Sequence, residues 1–263
     1  MTSYLVVCGA SLAVAGLTLY SGFGLGTLLL PVFALFFPVE VAVAATAVVH
    51  SANNLFKIGL VGRHADRGLV LGFGVPALLA AAAGAAALGY VADFGELASW
   101  SLGGRRAVIT PLKLTMGCLM LLFALFELLP SLRGLRVDRG YLFLGGLLSG
   151  FFGGFSGHQG ALRATFLTKT GVSPEAFVGT SAVIACMVDV SRIAVYAWTF
   201  ARTGTASPIR PEQWPLVLAA ILAAFAGLRL GKSFLAKITM RAIRTLTGLL
   251  LLLIALGLAS GLI

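Results

Sequence analysis

Long apolar blocks alternate with short polar connections along this chain. A helix that crosses a bilayer needs about 20 apolar residues. Eight segments approach or exceed that length: residues 4–37, 41–60, 69–91, 112–129, 141–167, 176–200, 215–234 and 243–263. The first and fifth are too long for one straight crossing, and each carries a glycine cluster. The pattern predicts an all-α integral membrane protein whose first and fifth segments are glycine-broken, with re-entrant geometry open to them. Residues 93–111, which include Trp100, are expected to lie at a membrane interface.

The fifth segment is the most informative. Residues 150–165 read G-F-F-G-G-F-S-G-H-Q-G-A-L-R-A-T, mixing five glycines with Ser156, His158, Gln159 and Arg163. Glycine weakens a helix, and an arginine at membrane depth is costly unless paired or wetted. The expected structure is a helix that breaks near Gly157 and restarts near Gly160. Unwound backbone at that depth is tolerated where it is buried in protein or lines a cavity. Free N–H groups near Gly160, with Arg163 one turn inside, would form an anion site.

The segments repeat. Gly26 falls on Gly160 and Thr46 on Thr180 at a common offset of 134, which also places Gly16 on Gly150. Further on, Gly84 falls on Gly227 and Gly117 on Gly248, after an insertion around residues 203–211. The chain therefore divides into two homologous repeats of about four transmembrane segments each, 1–130 and 141–263. Paired, broken segments in two halves point to a transporter site at the repeat interface. Parallel and inverted arrangements both fit.

Polar residues inside the blocks supply the candidate chemistry. Thr46, His50, Asn53 and Lys57 stand at i, i+4, i+7 and i+11, on one helix face. Asn54 lies off the centre of that stripe. Interhelical hydrogen bonding explains such residues singly, whereas a stripe ending in lysine favours a hydrated path. Asp189 and Arg192 stand at i, i+3 near the middle of the sixth segment, where they can pair. Glu127 is expected at an interface. The small residues around Gly84, Gly146, Gly150, Gly154 and Gly227 allow helices to approach closely.

Composition agrees. Hydrophobic residues make up 59%, charged residues 11%, and the mean hydropathy is +1.01. The net charge of +10 comes mostly from arginines in short connections, so it reads as membrane topology and not nucleic-acid binding. Basic residues fall about equally on alternating loops and give no orientation. Cys8, Cys118 and Cys186 show no disulfide or metal spacing. No cleaved signal peptide is expected, because the N-terminus lacks a basic n-region.

These motifs resemble the TauE/SafE family of sulfite and organosulfonate exporters. The first glycine signature appears as Gly22-Phe23-Gly24-Leu25-Gly26 followed by Pro31, and the next helix begins Ala42-Val43-Ala44-Ala45-Thr46. The second-half glycine run spans Gly150 to Gly160, followed by an intact Gly179-Thr180-Ser181. Departures are Leu25, His158, Gln159 and Thr165, the last standing where the family has proline. The resemblance implies secondary transport, usually export, of small sulfur-containing anions.

The expected binding residues are Arg163 for the anionic head, with Gln159, His158, Gly160 and Gly26 beside it. Thr46, His50, Asn53, Thr180 and Ser181 would line the path. His50, His158, Asp189 and Arg192 would couple transport to protons. No cofactor or metal site is expected: His50, His158 and Asp189 lack ligand spacing. The expected setting is a multi-pass protein of the plasma membrane whose partners are the bilayer and a small anion, with a homo-oligomer left open. Two other readings share these residues. One is a passive anion channel. The other is an intramembrane serine protease, since Gly154-Phe155-Ser156-Gly157 matches a rhomboid motif; no histidine lies on a helix downstream of that serine.

Overall fold

The computed structural model describes residues 1–21, 25–133, 137–202, 209–234 and 240–263. Gly22, Phe23 and Gly24 of the first glycine cluster, Arg136, Lys237 and most of the inserted stretch lie outside them. The described helices are α1 (Thr2–Ser21), α2 (Leu25–Ala34), α3 (Val39–Val61), α4 (Arg67–Ala92), α5 (Pro111–Leu128), α6 (Leu142–Ser156), α7 (Gly160–Leu167), α8 (Pro174–Arg202), α9 (Trp214–Phe234) and α10 (Met240–Ala259).

Local chemistry sets the ends. Pro111 opens α5 and Thr110 caps it, accepting from the Lys113 N–H at 3.2 Å; a proline at the first position loses no helical hydrogen bond. Asp66 caps α4 by accepting from Leu69 N–H at 2.8 Å. Residues Val70–Gly74 of α4 widen into a π turn just before Pro76, which has no N–H to give back to the preceding turn. Helix α6 stops at Gly157, whose φ of 79° is left-handed and suits glycine. Only His158 and Gln159 separate that glycine from α7.

Four described helices are long and apolar enough to cross a membrane: Arg67–Ala92, Pro111–Leu128, Pro174–Thr199 and Pro211–Leu230. Shorter apolar helices among the described residues are Thr2–Thr18, Leu25–Ala34 and Arg244–Ala259. The fifth block is divided at Gly157, and α3 dilutes its apolar residues with the polar stripe. Exposed leucines and phenylalanines such as Leu79, Leu122, Phe143, Leu222 and Leu253 form the outer surface.

Helices meet backbone to backbone where the small residues lie. A Cβ on Gly146, Gly150 or Gly154 of α6 would fall 2.4, 2.1 and 2.0 Å from the carbonyl oxygens of Phe73, Ala77 and Ala81 on α4. Gly84 on α4 stands equally close to Phe151 O. On the other side, α1 packs on α9, with Gly227 against Leu12 O. Helix α3 runs antiparallel to α8, since His50 meets Asp189 while Val61 O meets Gly179. Buried apolar side chains form two clusters. The larger joins α1, α2, α3, α5, α9 and α10, and the smaller lies among α4, α6, α7 and α8.

The all-α reading holds with one addition, a β-hairpin in residues 93–111: β1 (Ala98–Leu102) with β2 (Arg105–Ile109), turning at Gly103 and Gly104 with φ of 56° and 80°. Paired positive φ values suit the two-residue turn that matches strand twist. The hairpin grips the chain after α10: Trp100 Nε1 donates to Ser260 O at 2.7 Å and Val108 N–H to Gly261 O at 3.1 Å. Glu127 lies at the end of α5, as its sequence position implied, and is buried among neighbouring helices.

Candidate functional site

Where α6 breaks, α7 begins and α3 crosses α8, the structure assembles a buried polar cluster around Asp189. The carboxylate is fully buried and saturated with donors. Its Oδ2 lies 2.6 Å from His50 Nδ1 and 3.4 Å from Asn54 Nδ2. Its Oδ1 accepts from Arg192 Nε at 3.0 Å and Gln159 Nε2 at 3.3 Å, with Arg192 Nη2 at 2.8 Å. Gln159 turns its other end, Oε1, to Arg163 Nη1 at 2.9 Å. The amide orientation follows, because guanidinium only donates and carboxylate only accepts.

The break holds this cluster together. Arg192 Nη1 donates to Gly153 O at 3.3 Å, and a side chain at Gly157 would meet the same guanidinium at 3.0 Å. Ser149 Oγ donates to Gln159 O at 3.0 Å, and Tyr196 donates to Gly154 O. Gly26, near the start of α2, touches the break: a Cβ there would lie 3.3 Å from Gly157 O and 3.5 Å from the His50 ring.

Charge does not balance at this centre. Arg163 and Arg192, both buried, stand around the single carboxylate of Asp189. Burying an uncompensated ion is expensive. Arg163 Nε and His158 Nε2 have no protein partner. His158 is 1% exposed, its Nδ1 lies 3.1 Å from Ser156 Oγ, and its ring stacks on Phe123 at 4.8 Å and 7°.

The predicted residues separate into groups. Arg163, Gln159, Asp189, Arg192 and His50 form one connected network. His158 and Gly160 lie in the same break, and Gly26 faces it. Asn53 and Thr46 lie buried on α3, with the Asn53 amide and the Thr46 hydroxyl lacking partners. Lys57 is held elsewhere, donating to Thr18 O at 3.2 Å and Thr18 Oγ1 at 2.8 Å. Thr180 accepts from Asp66 N–H at 2.8 Å, beside buried Ser181. It precedes Asp189 by nine residues, about 13.5 Å of helix, while Thr46 precedes His50 by four, about 6 Å in the opposite direction. The two threonines thus mark opposite ends of the α3–α8 contact, about 20 Å apart.

Sequence reasoning undervalued Asn54, which reaches Asp189, and did not single out Ser149 or Tyr196. Ser149 directly precedes Gly150 and Tyr196 stands one helical turn after Arg192, and those positions were the available signal. A cavity of about 670 Å³ opens elsewhere, where the ends of α2 and α4 meet the starts of α3 and α5. Glu40, Asp93, Phe94 and Lys113 line it, and none of the predicted site residues does.

The chain matches the sulfite exporter TauE/SafE family over residues 7–258. It belongs to that family. The match covers nearly the whole chain, both glycine-rich stretches included. Comparison with curated proteins and with solved structures finds no match. TauE/SafE is a transporter family, and its members handle sulfite- and sulfonate-type anions; with its apolar helices, this chain is a multi-pass membrane protein. Ser156, the serine of the rhomboid-like motif, gives its proton to Phe152 O at 3.0 Å.

Proposed function

We propose that this TauE/SafE member is a secondary transporter that exports sulfite and small sulfonates across the plasma membrane, through a site between two repeats. One observation carries the proposal: two buried guanidinium groups stand at a helix break with one buried carboxylate, which Arg192 pairs directly and Arg163 reaches only through Gln159. A bound monoanion would supply the missing negative charge. Arg163 is the anchor, because Arg192 is already committed to Asp189 and Gly153 O, whereas Arg163 Nε has no partner. A planar guanidinium beside the start of α7 suits a compact tetrahedral oxyanion.

The repeat reading has its own support. Gly117 and Gly248 share an offset of 131, as do Ala124 and Ala255. A Cβ on Gly117 would meet Ala255 O at 2.9 Å, and one on Gly248 would meet Ala124 O at 3.3 Å. That reciprocal contact is what a pseudo-twofold relation between halves produces. The exchange of partners between α1 with α9 and α6 with α4 follows the same rule.

The experiment is anion-dependent thermal stabilisation of the purified protein, since ligand binding to the folded state raises its apparent stability. Sulfite and short sulfonates should stabilise wild type and leave Arg163→Ala unmoved. Stabilisation that survives in Arg163→Ala sinks the site; none in wild type sinks the function.

A further inference from the structure

We propose that His158 is a specificity-determining residue, selecting sulfonate-type anions that carry their own hydrogen-bond donor; this rests on the anion-site reading above. The argument begins with one proton. The Ser156 hydroxyl donates to Phe152 O at 3.0 Å, and a carbonyl oxygen can only accept. His158 Nδ1, at 3.1 Å from the same hydroxyl oxygen, must therefore be the donor of that second contact. A neutral imidazole has a single N–H, so Nε2 presents a lone pair.

That lone pair meets no protein donor. The residue is 1% exposed and Nε2 has no partner. The ring is stacked on Phe123, nearly parallel, and Nδ1 is tied to Ser156. Its backbone sits between left-handed Gly157 and Gln159, in the break from which Gln159 reaches both Arg163 and Asp189. The break thus carries a positive charge at Arg163, held through Gln159, and a fixed acceptor on the adjoining residue His158.

A matching ligand is a monoanion bearing a donor: the O–H of hydrogensulfite, the hydroxyl of a hydroxyalkanesulfonate, or the ammonium of an aminoalkanesulfonate. An unsubstituted sulfonate, or an anion with no proton, leaves the buried Nε2 without a donor. Sites built to pair with a donor reject analogues that lack it.

The test uses the purified full-length protein and two ligands of equal charge and similar size, 2-hydroxyethanesulfonate and ethanesulfonate, read by calorimetric or thermal-shift titration. Wild type should bind the hydroxylated ligand roughly tenfold more tightly. His158→Leu should bring that ratio to about one while ethanesulfonate affinity holds. His158→Gln, which restores an acceptor oxygen, should recover part of the preference and decides the matter if the leucine variant does not stay monodisperse. Arg163→Ala should lose both ligands. Equal binding by wild type, or a preference that persists in His158→Leu, overturns the role of His158 and leaves the Arg163 site standing. Binding of neither ligand by wild type overturns both.

Discussion

His50 Nδ1 lies 2.6 Å from Asp189 Oδ2, joining two helices at residues 139 positions apart in sequence. Arg192 holds the other oxygen, Oδ1, of the same carboxylate, so Asp189 can keep one partner while the other changes. Histidine titrates near neutral pH. Proton coupling through this pair is a hypothesis motivated by that shared carboxylate. In proteoliposomes holding a pH-sensitive dye, substrate should drive proton movement in wild type but not in His50→Ala or Asp189→Asn. Transport without proton flux in wild type would leave a uniporter or channel.

Asp189→Asn should also weaken the fold. It removes the carboxylate that pairs with the buried Arg192, and breaking a buried pair costs about 3–5 kcal/mol. A lowered melting temperature, partly restored by the double variant Asp189→Asn with Arg192→Gln, is the expected result. An unchanged melting temperature of the single variant would show that water or lipid headgroups already compensate the charges.

Arg163→Lys should separate charge from shape. Lysine keeps the cation but not the fork that grips an oxyanion in two places. Affinity is expected to fall at least tenfold while the protein stays folded, and Arg163→Ala should abolish transport. Equal transport by wild type and Arg163→Ala would return Arg163 to a structural role.

The glycines divide by what faces them. A Cβ at Gly154 would lie 2.0 Å from Ala81 O, so Gly154→Ala should disrupt the α4–α6 contact and reduce the yield of monodisperse protein. At Gly26 the nearest atom is 3.3 Å away. There alanine should fold, and leucine, reaching into the break and His50, should block transport in a folded protein. Full transport by Gly26→Leu would mark that glycine as ordinary packing.

Outside the membrane segments, Glu96 should matter little. It is exposed and pairs with Arg106 at 2.9 Å, and surface pairs are screened by water and salt. The Ser99 hydroxyl, then Arg106, hold its carboxyl below the usual range. What stability it adds is therefore present above the ordinary carboxylate pKa and lost as pH falls through the lowered value. Melting curves of Glu96→Gln and wild type should coincide at neutral pH; a clear drop in the variant would give the hairpin a larger role.

Much was legible in the chain itself. Bilayer thickness converts apolar run length into helices, and glycine's lack of a side chain makes Gly157 a stopping point wherever it falls. The polar residues that no lipid-facing helix would carry, His50, Arg163, Asp189 and Arg192, announced a buried site by their cost alone. Distances between helices were not legible. Period and spacing place Thr46 and Thr180 as equivalents, yet only the antiparallel crossing of α3 and α8 sets them at opposite ends. The same crossing brings Asn54, off the centre of its stripe, onto Asp189. The hairpin escaped because its short strands carry no helical period, and its partner at Ser260 lies 160 residues from Trp100. Local sequence determines what each stretch costs to bury; which stretches share that cost is decided by packing between residues far apart in the chain.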